Sequence, residues 1–158
     1  MPNPYFSFKQ FTVYHDRCAM KVGTDGVLLG AWCPVEHAVR VLDIGTGTGC
    51  IPISLKTNLP QANVSAIDIS EKALEVAKRN VASNKVEINF IQTNILEVED
   101  LNQFFDIIVS NPPYVRNLEK QEIKKNVLDY EPHLALFVED TDALLFYRKI
   151  AQLALKNL

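Results

Sequence analysis

Cysteine, histidine and positive charge are all scarce in this sequence, and each scarcity closes off a class of function. The three cysteines, Cys18, Cys33 and Cys50, are odd in number and form no C-x-x-C pair. Neither a disulfide framework nor a zinc site is expected, and a reducing compartment suits the chain. The three histidines, His15, His37 and His133, share no ligand spacing and read as structural or surface residues, so no metal is expected. With 16 Lys and Arg against 19 Asp and Glu, the net charge is −3. That offers no broad electropositive field for nucleic acid, although it leaves a specific RNA substrate open. No apolar run is long enough to span a bilayer. The start, Met1-Pro2-Asn3-Pro4-Tyr5, lacks the charged beginning and apolar stretch of a signal peptide. The expectation is a cytoplasmic protein without a membrane partner.

What the chain does have is apolar material. Of 158 residues, 47% are hydrophobic and 22% charged, which suffices for the core of one domain over residues 1–158. No repeat, low-complexity tract or Pro/Gly/Ser-rich linker divides it. Residues 1–40 read as a strand and helix extension, and 41–158 as the cofactor-binding and catalytic core.

The opening stretch alternates Phe6, Phe8, Phe11 and Val13 with polar residues, which predicts one or two short strands with those side chains facing a core. Thr24 and Asp25 can cap a short helix through Val27, Leu28 and Leu29 toward Trp32. An alternating pattern then begins. Arg40 to Ile44 is a short apolar run stopping at glycines, as a buried parallel strand does. Ile51 to Asn58 reads as a helix with Pro52 in its first turn. Asn63 to Ile69 is a second strand. Ser70 opens a helix carrying Ala73, Leu74, Ala77 and Val81 at helical spacing. Glu87 to Gln92 and Asp106 to Ser110 are further strands, and Asp142 to Leu158 is a last helix with Leu145, Phe146, Ile150, Leu153 and Ala154 on one face. Strands separated by helices predict an α/β fold with a doubly wound, mostly parallel sheet, in which ligands lie beyond the carboxyl ends of the strands.

The suggestive residues fall at those ends. Asp43-Ile44-Gly45-Thr46-Gly47-Thr48-Gly49 closes the first core strand with G-x-G-x-G spacing. A dinucleotide fingerprint wants its third glycine one position later, where Cys50 stands, which argues against a pyrophosphate and an NAD-linked oxidoreductase. A carboxylate at Asp43 suits a cationic group instead, and S-adenosylmethionine brings an α-ammonium and a sulfonium. Asp68 ends the second strand, where a carboxylate can accept both ribose hydroxyls of an adenosine. Asn94, taken to end the third strand, can contact the adenine ring. The bland alternative is a tight turn with Asp68 capping its strand.

The most specific signal is Asn111-Pro112-Pro113-Tyr114, directly after a buried strand. Asn and Pro alone can make a turn. The chemical reading is that a planar amide or aryl amine nitrogen has a delocalised lone pair and must be held in place to react. The Asn111 side-chain oxygen and the Pro112 carbonyl can accept its two N–H bonds, the prolines stiffen that corner, and Tyr114 can stack on the flat group. Positioning and dipoles then supply the catalysis, with no metal or strong base. Cys50 reads as a small buried helix residue rather than a nucleophile.

These residues carry a double resemblance. From about Val41 to Leu158 the chain resembles the bacterial release-factor glutamine methyltransferases, through LDIGTGTGCIPISL, AIDISEKALEVAKRN, NPPYV and NVLDYEPHLALF. From about Met1 to Gly49 it looks like the tRNA adenine methyltransferases that modify position 37 of a valine tRNA, through FKQFTVYHDRCAMKVGTDGVLLGAW. The changeover falls near Leu42 to Gly49, so the chain looks like a hybrid joined at shared sequence. The resemblance implies a Rossmann-like class I methyltransferase fold and S-adenosylmethionine as cofactor. It implies cofactor binding by Asp43, Gly45, Thr46, Gly47, Thr48, Gly49, Asp68, Asn94 and Asn111, with Asn94 standing where an acidic residue is usual. Asn111 to Tyr114 would hold the substrate. Both families continue past the last helix into further strands, so a sheet truncated before them, with an exposed edge, is expected. The expected substrate is the glutamine amide of a peptide chain release factor, favoured by Asn126 to Phe137. The alternative is tRNA, favoured by Tyr5, Phe6, Phe8, Phe11 and Tyr14 interleaved with Lys9, His15, Arg17 and Lys21. A third possibility is an inactive domain that binds cofactor or nothing.

Overall fold

The computed structural model describes residues 3–16, 22–32, 37–122 and 133–158. The chain opens with an antiparallel hairpin of β1 (Tyr5–Ser7) and β2 (Thr12–Tyr14), in register Tyr5↔Tyr14 and Ser7↔Thr12. Its side chains depart from the expectation of a core-facing stripe. Val13 is the one wholly buried residue of the hairpin, while Tyr5, Phe6 and Tyr14 stay about two-fifths exposed. A two-stranded ribbon has too little apolar cover to bury them, so the aromatic rings pack on each other. Phe8 stacks on Phe11 with centroids 4.2 Å apart, and Phe6 meets Phe8 edge-on at 4.8 Å.

Helix α1 (Thr24–Trp32) follows, with Thr24 and Asp25 inside its first turn rather than ahead of it. The core then alternates as expected: β3 (Arg40–Ile44), α2 (Cys50–Asn58), β4 (Asn63–Asp68), α3 (Glu71–Asn84), β5 (Asn89–Gln92) and β6 (Ile107–Ser110). These four strands form one parallel sheet in the order β5-β4-β3-β6. The path steps outward from β3 to β5, then returns to the far side of β3, so the order reverses between β3 and β6. Beyond those two strand ends lies the crevice where sheets of this kind hold ligands. Among the described residues β6 stands at the sheet edge.

Period-two alternation along β3 divides the core. Val41 packs with Ile51, Leu55, Val64 and Val109 on one face, and Leu42 and Ile44 pack with Ile67, Ile95, Phe105 and Leu153 on the other. Both faces are covered, which is why Val41, Leu42, Asp43 and Ile44 are all buried. Burial of each Leu or Ile of this kind contributes about 1.5–3 kcal/mol.

Two boundaries differ from expectation by more than one residue. The third core strand begins at Asn89, not Glu87, and ends at Gln92, which leaves Asn94 two residues beyond it. After a short parallel pair, β7 (Val115–Arg116) and β8 (Phe137–Val138), with α4 (His133–Leu136) leading into β8, the last helix α5 (Leu145–Asn157) starts three residues later than expected. There Asp142 is engaged by Arg148 at 2.8 and 2.9 Å, and the Leu145 amide donates to the Asp142 carbonyl, so the entry is a turn. Among the described residues no helix is long and apolar enough to cross a membrane. Cys18, Cys33, Arg17, Lys21 and the stretch 126–132 lie outside the described residues.

Candidate active site

The glycine turn is built by three left-handed residues, Gly45, Gly47 and Gly49, with φ of 77°, 55° and 81°. They serve two ends. At Gly45 and Gly47 no heavy atom lies within 4 Å of where a Cβ would stand, so the backbone there faces open space. At Gly49 a Cβ would meet the Ala77 Cβ at 3.2 Å, so this glycine lets the turn press on α3. Gly45 and Thr46 both donate to the Ile67 carbonyl at 2.8 and 3.0 Å, which ties the turn to the end of β4.

Asp68 braces the same turn. One oxygen accepts from the Gly47 amide at 2.8 Å and the other from the Ser70 amide at 2.9 Å. Both oxygens of Asp68, expected to face a ribose, are thus already engaged by backbone amides. Asn94 is similarly committed. It caps a short 3₁₀ turn, accepting from the Leu96 amide at 3.1 Å and donating to Glu97 at 2.8 Å.

Asp43 is wholly buried beneath the turn, and neither of its oxygens has a hydrogen-bond partner. Burial pushes its carboxyl up to about 7; the Thr46 hydroxyl lowers it, and the Asp68 carboxylate raises it further. Cys50, the first residue of α2, is also buried, and its thiol is pushed up to about 12 by burial and then by Asp43. It is no nucleophile at neutral pH.

Across the crevice, the Ser110 hydroxyl donates to the Ile44 carbonyl at 2.7 Å and locks the end of β6 to the end of β3. Asn111 follows immediately, at the mouth of the glycine turn. Its side chain is half-buried and makes no hydrogen bond to another described residue. Pro112 is buried, and Tyr114 is 49% exposed with its hydroxyl donating to Asp25 at 3.0 Å. At the opposite end of β6, Asp106 accepts from the Val39 and Arg40 amides, both at 2.8 Å.

A cavity of about 500 Å³, within the usual range for small-molecule sites, joins these parts. Gly45, Gly47, Asp68, Asn94, Asn111, Pro112 and Pro113 line it, with an apolar wall including Ile67, Ile69, Ile95 and Leu96. A second recess of about 190 Å³ opens on the other side of the Asn111 corner. Thr46, Thr48 and Tyr114 line that one, together with Asp25 and Gly26 of α1. Asp43 and Gly49 line neither and support the turn from below. As site residues, Ser110, Asp25 and the apolar wall leave no sequence signal, because a serine, a helical aspartate and scattered isoleucines carry no motif. Among the described residues there is no group of three or more His, Cys, Asp or Glu able to hold a metal ion.

Residues 18–134 match the family described as the methyltransferase small domain. Release factor glutamine methyltransferase of Flavobacterium psychrophilum is 70% identical over 120 residues, covering 76% of this chain and 42% of that protein. The tRNA1(Val) (adenine(37)-N6)-methyltransferase of Bacteroides thetaiotaomicron is 55% identical over 117 residues, covering 72% and 49%. That of Parabacteroides distasonis is 46% identical over 142 residues, covering 86% and 59%. The chain thus spans about half the length of the curated relatives it matches. Among solved structures, the hMettl16 catalytic domain in complex with an RNA hairpin superposes with a TM-score of 0.65 at 20% identity, over 90% of this chain and 55% of that one. This last likeness is one of fold.

Proposed function

Since the chain belongs to the methyltransferase small domain family and has the Rossmann-like class I methyltransferase fold, we propose that it forms the donor-binding and catalytic part of a cytoplasmic N-methyltransferase, using S-adenosylmethionine to methylate the glutamine amide of a peptide chain release factor. The observation that carries this reading is the position of Asn111, whose uncommitted amide sits at the rim of a cavity it shares with Gly45 and Gly47.

The residues present fit the donor. Gly45 and Gly47 leave open space beside their backbone, Asp43 supports their turn from below, and the apolar wall suits a purine ring. When bound, S-adenosylmethionine supplies an electrophilic methyl carbon on a sulfonium. The chain's own residues do the rest by orientation. The Asn111 oxygen and the Pro112 carbonyl accept the two N–H bonds of the acceptor amide, which directs its lone pair and favours pyramidal nitrogen. Tyr114, half-exposed, lies beside the flat group, and its hydroxyl bond to Asp25 fixes the ring. The Pro112-Pro113 pair removes backbone donors that would compete for the same acceptors.

A second reading has its own support. The adenine methyltransferase of Parabacteroides distasonis matches 86% of this chain, and the hairpin displays half-exposed aromatic rings that could stack on bases. Incubation with methyl-labelled donor and either purified release factor or tRNA separates the two. Label on the release factor, lost in Asn111→Ala, is expected. Label on RNA alone establishes the second reading, and donor binding without transfer to either makes the chain a cofactor-binding domain.

A further inference from the structure

The hairpin and the glycine turn share one amide. Asn80 of α3 is wholly buried, although an asparagine in a helix interior would normally face water. Its Oδ1 accepts from the Tyr14 amide at 2.8 Å, and its Nδ2 donates both to the Tyr14 carbonyl at 2.8 Å and to the Thr48 carbonyl at 2.9 Å. One turn further on, Asn84 repeats half of this pattern. It accepts from the Thr12 amide at 3.0 Å and donates to the Thr12 carbonyl and, within α3, to the Asn80 backbone carbonyl at 2.7 Å, without reaching the glycine turn. Residues i and i+4 of a helix thus imitate a strand edge for residues i and i+2 of β2. Ala77, one turn before Asn80, is the residue against which Gly49 presses. One face of α3 therefore carries the packing that seats the turn, the amide that holds its Thr48 carbonyl, and the ladder that holds the hairpin.

We propose that Asn80 is a positioning residue for the donor site and that, through it, order in the N-terminal hairpin and occupancy of the glycine turn are coupled. The coupling follows from saturation. Both N–H bonds of the Asn80 amide are spent, one on each partner, and its burial leaves no water to replace either. Loss of the Tyr14 pair frees the amide to rotate away from Thr48, and a ligand that holds the turn holds Asn80 for the hairpin. Linkage requires the effect to run in both directions. The inference rests on the glycine turn being the donor site, and its test can fail separately from that reading.

Residue-resolved amide hydrogen exchange and calorimetric titration with S-adenosylhomocysteine, on the full chain, test it. Saturating ligand should slow exchange at the Tyr14 amide about 5-fold or more. Asn80→Ser should weaken ligand binding about 10-fold, raise KM for the donor but not for the acceptor, and abolish the ligand's effect on Tyr14. Asn84→Ser, which releases Thr12 without touching Thr48, should speed exchange at Thr12 and change affinity less than about 3-fold. Asn80→Ser binding within about 2-fold of wild type, or Tyr14 exchange indifferent to ligand, overturns the proposal. If Asn80→Ser does not fold, the wild-type exchange result decides alone. If the wild type binds no ligand, the donor-site reading is what fails. Faster exchange of the Gly49 amide in ligand-free Asn80→Ser then supports the coupling, and unchanged exchange overturns it.

Discussion

The Asp68 carboxylate accepts a hydrogen bond from the Gly47 amide at 2.8 Å, across 21 positions of sequence. An acid at the end of the second core strand thereby holds open the turn that follows the first. With its other oxygen on the Ser70 amide, it orders the turn and the start of α3 together.

Removing that brace should be felt by the ligand more than by the fold. A hydrogen bond to a charged acceptor contributes about 1.5–3 kcal/mol, so Asp68→Ala is expected to weaken S-adenosylhomocysteine binding about 10- to 100-fold by calorimetry. Asp68→Asn keeps an acceptor for one amide and should lose less. Equal affinity in wild type and Asp68→Ala would show that the brace has no part in binding.

Asn111 should separate differently. Its side chain makes no hydrogen bond to another described residue, so truncation leaves nothing in the protein unpaired. Asn111→Ala is expected to lower kcat about 10²- to 10³-fold, in line with the loss of one well-placed acceptor or donor at a reacting group. The melting temperature should stay close to that of wild type. A loss of donor affinity as large as the loss in kcat would move Asn111 from acceptor orientation to donor binding.

Gly49→Ala tests the seat of the turn. The substitution requires φ near 81° and a Cβ 3.2 Å from that of Ala77, and such strain together with overpacking costs about 1–3 kcal/mol each. The expected outcome is a lower unfolding midpoint and weaker donor binding together. Gly47→Ala has the left-handed φ but no neighbouring atom within 4 Å, so it should lose less stability.

The sheet was legible because its strands are short apolar runs ending in glycine, aspartate or asparagine, and period-two and period-3.6 patterns separate cleanly over residues 40 to 110. The Asn111 corner was legible for the same reason, since a buried strand running into two prolines has few structural uses. The exposure of the hairpin aromatics was not legible, because alternation reports a strand but not whether anything covers it. The commitments of Asp68 and Asn94 were invisible because a carboxylate that binds a ribose and one that braces a turn look the same in sequence. Asn80 lay hidden for a related reason: polar residues in a helix pattern are assigned to solvent, and its partners are 66 and 32 positions away.

Asp43 sets a pH dependence. Its carboxyl is pushed up to about 7 in the folded protein from the ordinary 3.8 of an aspartate, because burial penalises the charged form. A raised carboxyl favours the folded state while protonated. Its contribution is complete below about pH 3.8 and is lost as pH rises through 7. The share of stability due to this group should therefore be smaller at about pH 8 than at about pH 4. Asp43→Asn, neutral throughout, should flatten that part of the profile, as the difference between the two melting curves would show. A difference independent of pH would mean that folding leaves the Asp43 carboxyl unshifted.

Asp106 should tilt the profile the other way. The Arg40 and Val39 amides hold its carboxyl below the usual range, by bonds that favour the charged form. A lowered carboxyl stabilises the fold above its unfolded value and loses that contribution as pH falls through the folded value. Asp106→Ala should thus melt lower than wild type at pH 7, and the gap should close as the solution is acidified below pH 3.8. Because Asp106 ties the start of β6 to the start of β3 and Ser110 ties their far ends, Ser110→Ala should lower the midpoint at both pH values, a hydroxyl having no charge to lose. The pair of variants therefore distinguishes an electrostatic clasp from a purely geometric one. Equal pH profiles for Asp106→Ala and Ser110→Ala would refute the charged clasp and leave the two strands held by the ladder between them.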